Sequence, residues 1–228
     1  MNAKDEAAIE ALKRDVDRTL LRENLKLTLE QRVQKHLRAA QMMEELQRAG
    51  IRLRTRAKNR WPLISLRSFR GSLTGRLISF SSEEWRQMAA ILHGSARVTL
   101  DADIVYDRGA PNLNRLAEVL QPLKPTLRGA PSGLPFKLDV TTLRNDLNFT
   151  LATNLGDLDL FGEVTGGGSY DDLLSHSVDI DAFGVRFKVI DLVTLIRIKE
   201  AAGRAKDREA IAELRVLLEE QNKRRTVL

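Results

Sequence analysis

There is no cysteine among the 228 residues. That excludes a disulfide framework, a thiolate metal centre and a cysteine nucleophile, and it makes a reducing, cytoplasmic setting the expectation. Aromatic residues are 5% of the chain, too few for extensive stacking on single-stranded bases. No apolar run approaches the roughly 20 residues a membrane span needs. The amino terminus shows no apolar signal core after its first charges, so a soluble protein with no membrane partner is expected.

Basic residues are in excess, giving a net charge of +6, but the excess is local. Residues 51–87 hold nine Lys or Arg against Glu83 and Glu84, a balance of +7 that leaves the rest of the chain at −1. A high isoelectric point is therefore a property of one segment, and does not mark the remaining domain as a nucleic-acid binder.

Three unlike parts follow one another. Residues 1–50 have helical texture: Thr28 and Gln31 are spaced as a capping box, Val33, Leu37, Ala40 and Leu46 recur near helical spacing, and Gly50 stands where a C-terminal cap belongs. Helices with one apolar stripe each cannot bury themselves. The arm must pack on its own chain, on a second copy as a homodimer through residues 1–50, or on a partner. Residues 51–87 show no sustained period and read as a basic irregular linker, or as a loop touching nucleic acid with Trp61 and Phe69.

From Met88 to the end the pattern is that of an α/β (α+β) domain, a mixed sheet with helices packed on one face. RVTLDADIVY alternates, sending Thr99, Asp101, Asp103 and Val105 to one side. Pro111 opens a helix, LNFTLAT and DLDLFGEV form a hairpin, and Ser169 caps a short helix. VDIDAF and VRFKVI pair through Gly184, and two helices close the chain, the first from Asp191 to Gly203.

The chemistry lies in the acids. Asp101 and Asp103 share a strand face about 6 to 7 Å apart, a spacing that suits either a divalent cation or two solvated carboxylates on an ordinary sheet. The pattern recurs at Asp157 and Asp159. Carboxylates from two strands brought together repel one another strongly unless a cation is present, and hard oxygen donors of this kind suit Mg²⁺. Lys199 falls on the apolar stripe of its helix with Leu192 and Leu195, pointing toward the body, either to snorkel to the rim or to meet an anion. Tyr170, Asp171 and Asp172 begin a helix, where acids suit the macrodipole, and His93 reads as a capping or packing histidine.

The pieces ILHGSARVTLDADIVYD, LNFTLATNLGDLDLFGEV, GGGSYDDLL and LIRIKEAAGRAKDREAIAEL, in this order, resemble a bacterial minimal nucleotidyltransferase of the DNA polymerase beta-like superfamily. The branch is that of AbiEii- and MenT-like toxins and kanamycin nucleotidyltransferase, and the resemblance spans about residues 88–220. It implies an enzyme that binds two Mg²⁺ ions and moves a nucleoside monophosphate from an NTP to an RNA such as a tRNA end, a protein or a small molecule. By position, Asp101, Asp103 and Asp159 would be the catalytic metal ligands. Gly94, Ser95, Arg97, Thr99, Lys199 and Arg204 would bind the nucleotide. The resemblance also implies a cognate toxin or antitoxin as partner.

One departure stands out. The family carries a Gly-Gly strand that lets backbone approach the triphosphate; here those positions are Arg86 and Gln87, after SSEEW. Gly94 and Ser95 then take a shortened version of its role, or the domain has lost nucleotide binding and persists as an interaction module. Residues 81–87 are also compatible with codons that, two bases on, encode Val-Gly-Gly-Val-Ala-Ala. A third possibility is a frame change near Gln87, which would account for the basic, aperiodic stretch and would make residues 1–50 a short upstream protein fused to the transferase. The gene sequence checks this: codons that yield no Gly-Gly in either other frame overturn it.

Overall fold

The computed structural model describes residues 2–36, 38, 77–79, 86–96, 102–131, 134–154, 156–182 and 185–226. Its centre is a mixed seven-stranded sheet. The strands are β1 (Leu77–Ser79), β2 (Ala102–Tyr106), β3 (Thr126–Leu127), β4 (Asn148–Thr153), β5 (Gly156–Phe161), β8 (Ser177–Ala182) and β9 (Val185–Ile190). They lie in the order β3-β4-β5-β2-β1-β9-β8, with a separate pair β6 (Glu163–Val164) and β7 (Gly168–Ser169). β2 runs parallel to β5 and β1 parallel to β9; the other pairings are antiparallel. β1 lies inside the stretch read as an irregular linker, and occupies a central position there. Three residues between Arg76 and Phe80 carry too short a pattern to announce a strand.

Both hairpins expected from the sequence form. β4 and β5 close with Thr153 opposite Gly156, whose φ of 125° lies outside the range a side chain favours, and β8 and β9 close with Ala182 opposite Val185.

Helices cover both faces of the sheet, which corrects the expectation of one. Alternate residues of β2 separate two cores. Ile104 and Tyr106 meet α5 (Ala110–Leu120) through Leu113, Leu116 and Leu120, together with α6 (Val140–Asn145) through Leu143. Val105 belongs instead with α4 (Arg86–His93), α7 (Tyr170–Leu174), α8 (Leu192–Ala202) and α9 (Arg208–Thr226), through Leu92, Leu173, Leu195 and Leu217. The alternation of RVTLDAD suggests one covered face, whereas the apolar run Ile104–Val105–Tyr106 that follows is what a strand covered on both faces shows.

The amino-terminal arm closes its own helix ends. Asn2 caps α1 (Ala3–Leu12), Asp17 caps α2 (Arg18–Lys26), and the Thr28–Gln31 capping box opens α3 (helical at 29–36), with reciprocal bonds of 2.9 and 3.2 Å. Its apolar stripe is spent within the chain. Ile9 packs on Ile211 and Ala212 of α9, and Leu21, Leu25 and Val33 enter the core beside α4 and α9. Of the three covers the sequence leaves open for this stripe, the chain's own body takes Ile9, Leu21, Leu25 and Val33; Leu37, Ala40, Leu46 and Gly50 lie outside the described residues.

Charge reinforces the docking. Glu220, only 4% exposed, receives Arg22 at 2.6 Å and Arg18 at 3.2 Å, and these bonds pull its carboxyl from 4.5 down to about 2. His36 is held by burial at about 4, below its ordinary 6.5. Both pKa values are depressed in the folded state, so both groups contribute stability that is full at high pH and lost on acidification. The expected result is a urea midpoint that falls below pH 6.5 as His36 and His93 must charge, and falls further from 4.5 toward 2 as Glu220 protonates. His36→Gln should make the first limb shallower and leave the second in place.

Candidate functional site

The parallel pairing of β2 with β5 sets Asp103 directly opposite Asp159. Partners in register point to the same face, so two carboxylates from different strands stand side by side. Asp103 is 0% exposed and Asp159 8%. On the far side of Asp159 the register continues to Thr150 of β4, which is exposed. Among the described residues the helical cover over this face ends near the acids: Val105, next along β2 on the same side, lies in the core built with α4, α7, α8 and α9, whereas Thr150 meets solvent.

Arg128 closes the group. Standing just after β3, it donates from Nη1 to Asp157 Oδ2 at 2.9 Å and from Nη2 to both oxygens of Asp159, at 2.9 and 3.1 Å. One guanidinium thus spans two carboxylates two residues apart on β5, using its planar fork. Neutralising charge is required here, because adjacent carboxylates withdrawn from water repel one another and lose hydration. Arg128 was not legible as a site residue. It heads the loop RGAPSGLP, and nothing in its neighbours marks the strand pairing that aims it.

The other expected residues divide by position. Asp101, Arg97 and Thr99 lie outside the described residues. Gly94 and Ser95 form the exit from α4. Gly94 has φ 115° and returns its amide to Ala90 O at 2.9 Å, ending the helix as a glycine cap does. Ser95 is buried, its hydroxyl donating to Glu213 Oε1 at 2.7 Å, and the Ala96 amide reaches the same oxygen at 2.8 Å. The two carbonyls of the turn accept from Asn24 Nδ2 of the arm, at 3.2 and 3.0 Å. This turn is therefore filled by the chain's own groups. A Cβ on Gly94 would stand 2.9 Å from Leu25 Cδ2, so Gly94→Ala should cost about 1 to 3 kcal/mol through strain and displaced packing, measured by urea unfolding.

Lys199 points inward as expected, and is 2% exposed. Its ammonium pairs with Asp207 Oδ1 at 3.3 Å across the α8–α9 junction, and Asp207 is also 2% exposed. Arg204, beside them in sequence, is exposed, and its carbonyl accepts from the Asp207 amide at 3.0 Å. His93 plays the packing role expected of it: Nε2 bonds Ile190 O at 3.0 Å, and burial lowers its pKa. Asp172 completes a capping box with Ser169, so Tyr170, Asp171 and Asp172 serve the start of α7.

Among the described residues no group of three or more metal-ligating side chains is assembled, and no helix is long and apolar enough to cross a membrane. No family model matches the chain, and no curated protein or solved structure matches it.

Proposed function

We propose that the protein is a Mg²⁺-dependent nucleotidyltransferase. The observation that carries the reading is Asp103 set in register beside Asp159, at the border between covered and open sheet. Two carboxylates on neighbouring strands, with Asp101 two residues before Asp103, are a hard-oxygen donor set of the kind Mg²⁺ takes. Asp101, Asp103 and Asp159 would hold the metal, provided Arg128 yields Asp159 and keeps Asp157. Bound there, the metal would neutralise charge on the nucleotide phosphates.

In the reaction an acceptor hydroxyl oxygen bonds to the α-phosphorus of an NTP. The bond from that phosphorus to the β-phosphate bridging oxygen breaks, and pyrophosphate leaves. Asp159 takes the acceptor's proton. Gly94, Ser95, Arg97, Thr99, Lys199 and Arg204 are the nucleotide-binding set in this reading. The acceptor is an RNA, a protein or a small molecule, and the setting is a cytoplasmic toxin–antitoxin pair.

Specific observations favour a second reading, a nucleotidyltransferase-like domain that acts as an interaction module. The Gly94–Ser95 turn is engaged by Asn24 and Glu213, Lys199 by Asp207, and Asp159 by Arg128. Titration calorimetry with ATP and with CTP, each in MgCl₂, separates the two. The transferase reading expects binding that Asp103→Asn abolishes; no heat at millimolar nucleotide leaves the interaction module.

A further inference from the structure

The arm meets the body through two matched patterns. One is apolar: Ile9, Leu21, Leu25 and Val33 are each at most 9% exposed and lie against α4 and α9. The other is electrostatic, and it changes sign along α9. Near the start of α9, Arg208 pairs with Asp5 at 2.6 Å and Arg215 binds Glu6. Near its end, Glu219 takes Lys13 at 2.9 Å and Arg18 at 3.0 Å, and Glu220 takes Arg18 and Arg22. Reversing the arm on this surface would set acid against acid and base against base, so the charges fix its direction.

The arm also carries its own caps at Asn2, Asp17 and Thr28. The arm also donates to backbone carbonyls of the body: Asn24 to those of Gly94 and Ser95, and Arg32 to that of Leu92. Such an interface has the anatomy of a complex between two polypeptides, with an apolar centre and a charged rim.

We infer that the face made by α4, α9 and the Gly94–Ser95 turn is a docking surface for a separable helical polypeptide, and that residues 2–36 are its occupant in this chain, held without need of covalent continuity. The linker raises the arm's local concentration but is not what recognises the body. This accords with a short upstream protein joined to the domain, yet rests on the interface alone and not on any catalytic role.

The test uses the full chain with a protease site inserted within residues 51–76. The chain is cut after folding, its halves are parted in urea, and both are returned to buffer together. The expected result is 1:1 co-elution with a dissociation constant of about a micromolar or below. Arg22→Glu, on the exposed side of the arm, should weaken retention about tenfold, and added salt should weaken it in the same direction. An arm that elutes alone from a folded body, or joint precipitation of both halves, overturns the inference. So does an Arg22→Glu arm retained as tightly as its parent, which would leave the charge pattern without effect.

Discussion

Arg128→Ala is expected to lower the unfolding free energy by about 2 to 3 kcal/mol, less than the loss for a fully buried pair because the arginine side chain is 30% exposed. The loss comes less from missing attraction than from what is left behind. Asp159 keeps its place beside Asp103, with Asp157 next on the same side of β5, and the cation that spanned Asp157 and Asp159 is gone. A metal-binding reading adds a second consequence. If the acids form a Mg²⁺ site, Mg²⁺ and the guanidinium compete for Asp159, and removing Arg128 should favour the metal. Millimolar MgCl₂ should then restore about 1 to 3 kcal/mol to the variant and little to the parent, by preferential binding to the folded state. Urea titrations of both proteins in MgCl₂ and in KCl of equal ionic strength measure this. Equal gains in parent and variant, or none in the variant, would exclude a cation site at Asp103 and Asp159.

The acids at this site were legible because strand alternation is a strict period. Asp103 and Val105 had to share a face, as had Asp157 and Asp159, and the only open question was which strands would be neighbours. Helix ends were equally readable, since Thr28–Gln31, Ser169–Asp172 and Asp191 each place an oxygen where an amide needs one. Long-range pairing was not. Arg128 reaches Asp159 because β3 lies antiparallel beside β4 at the edge of the sheet, and a two-residue strand leaves no periodic trace. Asn24 and Glu213 converge on Gly94–Ser95 from opposite ends of the chain, with separations no local spacing rule spans. The arm's destination was hidden for a related reason: an apolar stripe states that something must cover it, and leaves the identity of the cover to tertiary structure.

Asp207→Ala is expected to be the most damaging single change, at about 3 to 5 kcal/mol, since Lys199 would remain 2% exposed without the carboxylate it meets at 3.3 Å. Replacing both partners should behave differently. Lys199→Met with Asp207→Leu keeps apolar volume and removes both charges, and a buried ion pair exchanged for packed hydrophobic side chains is often neutral or stabilising. The double variant should therefore recover most of the stability lost in the single one, read from urea midpoints. That recovery makes it a clean probe of function. If the protein is a nucleotidyltransferase and Lys199 holds phosphate oxygens in it, the double variant would fold like the parent while losing nucleotide affinity by at least about tenfold. If parent and double variant bind ATP and CTP equally in MgCl₂, the buried lysine is part of the helix junction alone, and nucleotide recognition must rest on other groups. Lys199→Met by itself cannot decide this. It leaves Asp207 buried opposite an apolar side chain, and lost affinity could not then be told from a disturbed α8–α9 junction.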